Sequence, residues 1–526
     1  MKRRWPIAVS LFFVALASCL SAQRQGEAFE EGVKLVRDGR FEQALVKLEE
    51  ARRIAPQNAA IENLLGITET QLGHNDKACN HYRNAIRLDS SQAAPHRNLG
   101  FNLLNQKNYA DAEPELREAS RLAPDDTFGH YYLVLLALAT ERDADAAAEA
   151  PRAGNLLDDD PEAGAGVVAA YIRLGHADSA FGLIERMEKA DKLSATQEYA
   201  IAVLLSRHAR YRESAHCFRR IASLDPSWES RYNLALSLLY SGEYAEASTY
   251  LSALHTERPS SADTLMFLGS AYEMQEKMPE ALEAYRGAVA ADPSNPDRML
   301  DYTRLLMDTD RYDEAIQAVQ AGIGDTSAKT PLQLRLGAVE MLKGDYAAAR
   351  EAFKAALDYD PQLDAAFVGL AQTYARQAND GEAIRILEEA RARLPGRYSL
   401  EYYFGLLASR SGREQDAIPA LERAAQLEPK SPDPFFELGK LYMNRQDWPQ
   451  ARQALEQVVA LNPQFQPAHF QLSHVYARLG LNALAAEEAQ QTRTLVDAQR
   501  EEALRKQRER ASSFQPNDSK VPSAQP

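Results

Sequence analysis

One pattern recurs along most of the chain at a spacing of 34 residues, and no other feature limits the fold as strongly. Two segments show it plainly: residues 262–295 read ADTLMFLGSAYEMQEKMPEALEAYRGAVAADPSN, and residues 432–463 read PDPFFELGKLYMNRQDWPQARQALEQVVALNP. The frames start at 25, 59, 93, 127, 161 and 195, lose one residue, and continue at 228, 262, 296, 330, 364, 398, 432 and 466. A constant period of this length predicts a stack of equal units rather than several unrelated domains.

Two positions of the frame are nearly always small. Position 20 is serine in one frame and alanine in thirteen: Ala44, Ala78, Ala112, Ala146, Ala180, Ser214, Ala247, Ala281, Ala315, Ala349, Ala383, Ala417, Ala451 and Ala485. Position 8 is small in all frames but three, which carry Val134, Val168 and Thr303. Small residues at both positions predict two helices whose backbones approach closely. Bulky residues at positions 7, 11 and 24 are expected to fill the layer between successive repeats.

Helix-breaking residues divide each frame in two. Proline occupies position 32 in nine frames, as at Pro56 and Pro463, where it ends the second helix. Glycine near the middle of the frame, as at Gly39 and Gly344, suits a tight turn. Each frame therefore predicts two amphipathic helices, A and B, and neighbouring pairs must stack to bury their apolar faces.

This pattern resembles the tetratricopeptide repeat (TPR), with alanine at position 20, a small residue at position 8 and proline at position 32. The resemblance covers fourteen frames over residues 25–499 and is weakest in the frames that begin at 127, 161 and 296. It implies an all-α solenoid, a right-handed superhelix of antiparallel helix pairs. It also implies a concave surface lined by helices A, chiefly through positions 2, 5, 9 and 12.

Aromatic and large aliphatic residues are frequent at positions 5, 9 and 12. The resemblance therefore implies a peptide groove formed by Phe101, Leu104, Tyr131, Leu135, Leu138, Tyr199, Val203, Tyr232, Leu236, Leu239, Tyr402 and Phe436. Aromatic side chains give a large contact area for little ordering entropy, which suits a protein or peptide partner. The alternative is that positions 5 and 9 belong partly to the core of a tightly wound array.

The sequence contains no standard catalytic or metal-binding motif. The sequence has no G-x-S-x-G, Walker loop or H-E-x-x-H motif. His469 and His474 point to different faces of a helix, so we expect surface or groove histidines. Residues 164–166 (Gly-Ala-Gly) fall inside a predicted helix A, and residues 158–160 (three Asp) suit a helix start better than a calcium loop. We predict a protein that is not an enzyme and has no cofactor and no metal.

Charge and cysteine content exclude other classes of protein. The chain carries 60 Lys and Arg against 75 Asp and Glu, a net charge of −15. Nucleic-acid binding needs a basic surface, so we predict no nucleic-acid partner. Cys79 and Cys217 lie in different repeats, so we expect no disulfide between them.

The N-terminus resembles an export signal. Residues 1–4 are basic and residues 5–20 are apolar but short for a membrane span, which predicts a signal peptide over residues 1–22. Residues 16–19 (Leu-Ala-Ser-Cys) resemble a bacterial lipobox, in which Cys19 would carry a lipid. Residues 20–22 (Leu-Ser-Ala) resemble an ordinary signal-peptidase site. Both alternatives predict export, either to the periplasm or as a lipoprotein anchored to the outer membrane.

The C-terminal residues predict an end to the array. Residues 482–510 contain no glycine or proline and predict a capping helix that overlaps the last repeat, and residues 511–526 predict a disordered tail. The chain as a whole predicts a non-enzymatic scaffold of the bacterial cell envelope that binds a peptide or partner protein. Because aromatic rows also stack on sugars, a non-catalytic subunit of a polysaccharide-export or pilus-assembly machine stays open.

Overall fold

The computed structural model describes residues 27–325 and 328–513, and all regular secondary structure in these ranges is helical. The twenty-nine helices are α1 (Glu27–Arg37), α2 (Phe41–Ile54), α3 (Ala59–Gln71), α4 (Asn75–Leu88), α5 (Ala93–Asn105), α6 (Tyr109–Leu122), α7 (Thr127–Ala139), α8 (Asp143–Ala153), α9 (Leu156–Asp159), α10 (Pro161–Arg173), α11 (Ala177–Lys189), α12 (Ala195–Arg207), α13 (Tyr211–Leu224), α14 (Trp228–Ser241), α15 (Tyr244–Glu257), α16 (Ala262–Glu273), α17 (Met278–Ala291), α18 (Pro296–Asp308), α19 (Tyr312–Asp325), α20 (Lys329–Lys343), α21 (Tyr346–Tyr359), α22 (Asp364–Arg376), α23 (Asp380–Arg393), α24 (Tyr398–Arg410), α25 (Glu414–Leu427), α26 (Asp433–Asn444), α27 (Trp448–Leu461), α28 (Gln466–Arg478) and α29 (Asn482–Ser513). The predicted all-α fold is confirmed.

Each of the fourteen frames forms one helix pair, including the three whose sequences match least well. The chain divides between Pro259 and Ser260 into two compact units, which contain α1–α15 and α16–α29. The last helix runs to Ser513, three residues beyond the end predicted for the capping helix. The predicted signal peptide, Cys19 and residues 514–526 of the predicted tail lie outside the described residues.

Position 20 lies at the most crowded point of each pair. The position-20 residues of the first thirteen repeats, from Ala44 to Ala451 and including Ser214, have no exposed surface. Ala485 is half-buried, because it belongs to α29 and no later helix of the described chain packs over it. The near-constancy of alanine at this position therefore reflects the space available between helices.

Glycine at position 8 of helix A accommodates the large residue at position 24 of helix B in the same repeat. A β-carbon added to Gly100 would lie 2.6 Å from Cγ of Leu116. The same relation joins Gly32 to Leu48, Gly66 to Tyr82, Gly269 to Tyr285, Gly337 to Phe353, Gly405 to Leu421 and Gly439 to Leu455. The side chain at position 24 also reaches the next repeat, as expected for a residue that fills the layer between repeats: a β-carbon added to Gly369 would lie 2.5 Å from Cε1 of Phe353.

In the repeat that begins at residue 127, the large residue is at position 8 and the small residue is at position 24. Its position 8 is Val134 and its position 24 is Ala150, and both are buried. A larger residue on helix A is thus matched by a smaller one on helix B, which keeps the volume of the pair similar. This exchange explains how a frame without glycine still forms a helix pair.

The turn between helix A and helix B has the same backbone geometry throughout the array. Position 15 has a positive φ in all fourteen repeats, and only seven of these residues are glycine. The others are Lys107, Glu141, Ala209, Glu276, Asp310, Ala378 and Gln446, with φ between 56° and 61°. A left-handed conformation costs a residue with a β-carbon about 1–2 kcal/mol. Helix packing therefore dictates the turn more strongly than local sequence does.

The Gly100–Leu116 contact predicts a size-dependent coupling. Gly100→Val should lower the free energy of unfolding by about 1–3 kcal/mol, because the added methyl groups overlap Leu116. Combining it with Leu116→Ala should cost at least about 1 kcal/mol less than the sum of the two single changes, since the pair then copies Val134 and Ala150. Urea denaturation of the four proteins measures this coupling.

A matched control comes from a helical glycine with open space around it. Nothing lies within 4 Å of a β-carbon added to Gly182. Gly182→Val should change the free energy of unfolding by no more than about 0.5 kcal/mol. Strict additivity of Gly100→Val and Leu116→Ala would show that the two side chains do not share one space.

Candidate functional site

A groove of about 900 Å³ crosses three successive helices A of the first unit, α5, α7 and α10. Its lining residues are Leu104, Asn105, Lys107, Tyr109, Leu135, Leu138, Ala139, Glu141, Asp143, Asp160, Glu162, Ala163, Gly166, Ala169 and Arg173. This volume lies within the range of sites that bind ligands, about 300–1,000 Å³. The groove is therefore the candidate functional site.

The floor of the groove is apolar and is kept open by small residues on α10. Leucines come from α5 and α7, whereas α10 contributes Ala163, Gly166 and Ala169. A β-carbon added to Gly166 would lie 2.9 Å from Cδ1 of Leu138. A larger side chain at Gly166 would therefore push into the leucines and reduce the open volume.

Charged side chains form the rim of the groove. They are Lys107, Glu141, Asp143, Asp160, Glu162 and Arg173. Arg173 donates two hydrogen bonds of 2.6 Å to the carboxylate of Asp143, and this contact lowers the pKa of Asp143. The rim therefore combines this ion pair with the carboxylates of Glu141, Asp160 and Glu162 and the ammonium group of Lys107.

The N-terminus of α10 forms one end of the groove. Asp160 caps the helix by accepting the backbone N–H groups of Glu162 at 3.1 Å and Ala163 at 3.2 Å. The hydroxyl of Tyr131 donates to the other carboxylate oxygen of Asp160 at 2.6 Å. The prediction that residues 158–160 lie at a helix start therefore holds for Asp160, whereas Asp158 and Asp159 end the short helix α9.

The two glycines of residues 164–166 serve different neighbours. Helix α8 is only eleven residues long and contains Pro151, and after Gly154 at φ 58° the chain forms the short helix α9. A β-carbon added to Gly164 would lie 2.6 Å from the carbonyl oxygen of Leu157 in α9. Gly164 thus allows α9 to approach α10, while Gly166 opens the groove on the side of α7.

Three of the twelve predicted groove residues line this site: Leu104, Leu135 and Leu138. Leu104 is only 8% exposed, so it contributes to the floor of the groove and not to its rim. The prediction was wrong for Tyr131, which is 2% exposed because its hydroxyl is used to hold the cap of α10. It was also wrong for Leu239, which is buried near the end of α14.

The remaining predicted residues of the first unit lie outside the groove. Phe101 is half-buried and stacks on Tyr132, with ring centroids 4.4 Å apart. Tyr199 is exposed, and its hydroxyl accepts a hydrogen bond of 3.1 Å from the Asn233 amide. Tyr232 stacks on Trp228 at 4.6 Å. Val203 and Leu236 are half-buried.

In the second unit the two predicted aromatic residues are half-buried in local clusters. Tyr402 stacks on Tyr398 at 5.8 Å and packs against the core around Phe404. Phe436 meets Phe465 edge to face at 5.0 Å. The alternative that position 5 is partly core therefore describes these two residues.

Sequence reasoning missed the contribution of α10 to the groove. Its apolar lining residues, Ala163, Gly166 and Ala169, are small, and a binding surface was expected from large apolar and aromatic residues. The available signal was the succession of small residues in the frame that begins at 161, which was interpreted only as a weak repeat.

Buried histidines link helices within repeats. The expectation that His469 lies at the surface or in a groove was wrong, since it is 4% exposed. Its Nδ1 lies 2.5 Å from a carboxylate oxygen of Glu488, and its Nε2 donates to the carbonyl oxygen of Pro463 at 3.0 Å. His130 repeats this arrangement with Glu149. Among the described residues, no three His, Cys, Asp or Glu side chains are arranged to hold a metal ion.

Two acidic side chains meet between α11, α12 and α13. Glu198 is 1% exposed and accepts a hydrogen bond of 2.8 Å from Arg220, while Glu188 pairs with His216 at 3.0 Å. The second carboxylate oxygens of Glu188 and Glu198 are both buried without a hydrogen-bond partner. Burial, together with a smaller contribution from Glu188, raises the pKa of Glu198 to about 7 despite the opposing charge of Arg220. A proton on Glu198 relieves this repulsion.

Comparison with known families identifies the repeat unit. Two family models, both described as Tetratricopeptide repeat, match this chain. One matches residues 199–247, 232–296 and 303–366, and the other matches residues 274–328, 340–409 and 408–479. Together they cover residues 199–479 without interruption, which is more than half of the chain.

Individual proteins match over shorter stretches. The human Protein O-mannosyl-transferase TMTC1 is 26% identical over 157 residues, which are 29% of this chain and 18% of that protein. Cellulose synthase 1 operon protein C of Komagataeibacter xylinus is 26% identical over 220 residues, 38% of this chain and 16% of that protein. The matches thus span less than a fifth of the length of either relative.

Solved structures with helical repeats are also similar. A tetratricopeptide repeat protein from Parabacteroides merdae has 16% sequence identity and a TM-score of 0.37, over 47% of this chain and 98% of that one.

Within residues 27–325 and 328–513, no helix combines the length and the apolar character needed to cross a bilayer.

Titration of Glu198 makes stability depend on pH. Its pKa is about 7 in the folded protein against 4.5 when unperturbed, so the folded state binds more protons between these values. The stability from this group is complete below pH 4.5 and is lost as the pH rises to about 7. Glu198→Gln should therefore gain stability relative to the parent protein between about pH 5 and 8. Urea denaturation across this range measures the trend.

The matched control is Asp178→Asn, an exposed acid in the first turn of the helix that carries Glu188. Its difference from the parent protein should stay nearly constant over the same pH range. A constant difference for Glu198→Gln as well would show that Glu198 does not titrate in this window.

Proposed function

Because the chain belongs to the tetratricopeptide repeat family, we propose that it is a non-enzymatic scaffold that holds a segment of a partner protein in the groove between α5, α7 and α10. Tetratricopeptide repeats typically mediate protein–protein interaction. The observation that carries the proposal is the apolar floor, which the small residues of α10 keep open over about 900 Å³.

The dimensions of the groove suit an extended peptide. Its lining runs along α10 from Asp160 to Arg173. At 1.5 Å per residue this span is about 20 Å, the length of about six residues of extended chain. Leucine and alanine side chains occupy the middle of the span and charged groups its ends. A segment with apolar side chains in its centre would bury them and keep its polar ends in water.

The lining supports binding rather than catalysis. Its fifteen residues include no Ser, Thr, Cys or His, so the lining holds no Ser–His or Cys–His pair. Of its carboxylates, Asp143 is held by Arg173 and Asp160 by the start of α10. The matched region of the human mannosyl-transferase is 18% of that protein, and we transfer no activity from it.

A second candidate rests on the match to cellulose synthase 1 operon protein C. By that likeness the chain would be a non-catalytic subunit of a polysaccharide-export machine. The groove would then meet a sugar polymer instead of a peptide. Calorimetric titration of the protein with cello-oligosaccharides separates the two candidates. A heat of binding that disappears when a larger side chain at Gly166 fills the groove would favour the second candidate.

Photo-crosslinking in cells tests the groove directly. A benzophenone amino acid at Ala139, an exposed lining residue, should yield a discrete crosslinked protein, because a bound segment passes within reach. Gly166→Leu should remove that product by filling the floor, and Ala169→Leu should weaken it. Circular dichroism checks that both variants keep the helical content of the parent protein.

The control probe is placed at Ala144, which is exposed on α8 and does not line the groove. It should give no such product. Equal crosslinking from both positions, or a product that survives both groove-filling changes in folded protein, would contradict binding in this groove.

We also propose that the scaffold works in the cell envelope, on the strength of the export signal in residues 1–22. If Cys19 is the lipid attachment site, labelled palmitate should enter the protein and Cys19→Ser should abolish the label. The control is Cys79→Ser, at a buried thiol, which should keep the label. An unlabelled protein whose mature N-terminus is Gln23 would show a soluble exported form instead.

A further inference from the structure

We propose that Glu188 and Glu198 make the groove sensitive to pH: a proton shared by their carboxylates holds α10 in place, and loss of that proton loosens α10. The inference rests on the proposed function, because α10 forms one wall of the groove, and it adds a means of regulating that wall. Two contacts join α10 to the residues that precede these acids in the chain.

A single proton meets the needs of both acids. One oxygen of Glu198 accepts a hydrogen bond of 2.8 Å from Arg220, and one oxygen of Glu188 pairs with His216 at 3.0 Å. The other oxygen of each acid is buried without a hydrogen-bond partner, and the two carboxyl groups are close enough to bond to one another. A proton between them satisfies both, since a protonated carboxyl group donates and a carboxylate accepts. Without it, two buried negative charges repel one another.

The cation on Glu198 is shared with another acid. Asp191, in the turn between α11 and α12, accepts a hydrogen bond of 3.3 Å from the same guanidinium of Arg220. Cys217, on the same helix as Arg220, adds no charge here, because burial raises the pKa of its thiol. One guanidinium therefore faces both Asp191 and the acid pair when the pair is fully ionised.

His216 changes charge in the same direction as the acid pair. Its hydrogen bond to Glu188 raises its pKa, the charge of Glu185 also raises it, and Arg219 opposes them. A histidine with a raised pKa gives stability that is lost as the pH rises. His216 therefore adds to the loosening and does not compensate for it.

Helix α12 holds the first residue of α10. The side-chain amide of Gln197 donates a hydrogen bond of 3.0 Å to the carbonyl oxygen of Pro161, where α10 begins. Gln197 belongs to the capping box of α12, in which its side-chain oxygen accepts the backbone N–H of Ser194 at 3.1 Å. Glu198 follows Gln197 directly. A shift of α12 that separates the two acids therefore also moves the hydrogen bond to α10.

Helix α11 contacts α10 within its first turn. Met187 is fully buried, and a β-carbon added to Gly164 would lie 2.6 Å from Cε of Met187. Glu188 follows Met187 directly, and Ala163, beside Gly164, lines the groove. Each acid thus lies one residue from a contact with the helix that forms the groove wall.

The direction of the effect follows from the burial of Glu198. Its pKa is about 7 in the folded protein against 4.5 when unperturbed, so the folded protein holds the proton below about pH 7 and loses it above. The stability that the proton gives is present in acid and lost as the pH rises. With these two values, the equilibrium constant for opening this region rises about tenfold between about pH 6 and pH 8.

Hydrogen exchange of the purified protein measures this change without any partner. Dividing the intrinsic rate at each pH by the observed rate gives a protection factor, which removes the direct effect of pH on exchange. The backbone amides of α10 should lose about tenfold in protection between about pH 6 and pH 8. Those of α23, in the second unit, should keep theirs.

A pair of variants assigns the change to the buried acids. Glu198→Gln offers an amide donor at every pH, so the loss of protection in α10 should shrink to about twofold or less, the remainder coming from His216. Asp178→Asn removes an exposed acid from α11 and should keep the tenfold loss. Circular dichroism checks that both variants are folded.

A third variant interrupts the contact between α12 and α10. Gln197→Glu keeps an acceptor for the N–H of Ser194 but has no N–H to donate to Pro161. The pH-dependent loss of protection should then become smaller in α10, to about threefold, and should persist in α12.

The outcomes separate this inference from the function on which it rests. Protection of α10 that is constant with pH, or a loss that Glu198→Gln leaves intact, would overturn the inference. A loss confined to α12 in the parent protein would overturn it too, because the acids would then act only on their own helices. The proposed function fails on other evidence: an Ala139 probe that captures no partner at about pH 6, where α10 is held, refutes peptide binding whatever the exchange shows.

Discussion

The contact between helix A and helix B inside each repeat is the constraint on which the rest of the structure depends. Glycine at position 8 receives a large side chain from position 24, and alanine at position 20 has no exposed surface from the first repeat to the thirteenth. These contacts leave no room for another methyl group at several sites. Each pair is therefore held in one arrangement, and its helix A offers its neighbours a defined face.

The groove arises where that regular arrangement loses side-chain volume. In the repeat that begins at 161, Ala163, Gly166 and Ala169 occupy positions of helix A that face the leucines of α7. The tight packing within pairs continues on either side, so the missing volume is not recovered by collapse. The groove therefore exists because one helix, α10, carries small side chains between tightly packed helix pairs. This arrangement favours a preformed binding site.

Polar groups inside the array are paired with few exceptions. Buried histidines such as His130 connect helix B to the end of the preceding repeat, and Asp160 caps α10 with help from Tyr131. Glu188 and Glu198 differ, because each keeps one buried carboxylate oxygen without a hydrogen-bond partner. Such unsatisfied groups are costly, so proton uptake by this pair changes the stability of the helices around it.

The sequence alone determined the repeat length, the helix pairs and the close packing at positions 8 and 20, because these depend on patterns that recur every 34 residues. It also indicated the leucines of the groove floor, Leu135 and Leu138. Only the tertiary structure decided which position-5 residues are accessible. Tyr131 is buried because the carboxylate of Asp160 accepts a hydrogen bond from its hydroxyl, and Gly166 lines the groove beside Leu138, a residue 28 positions earlier in the chain. Exposure depends on which side chains meet across repeats, and a periodic pattern carries no information about that.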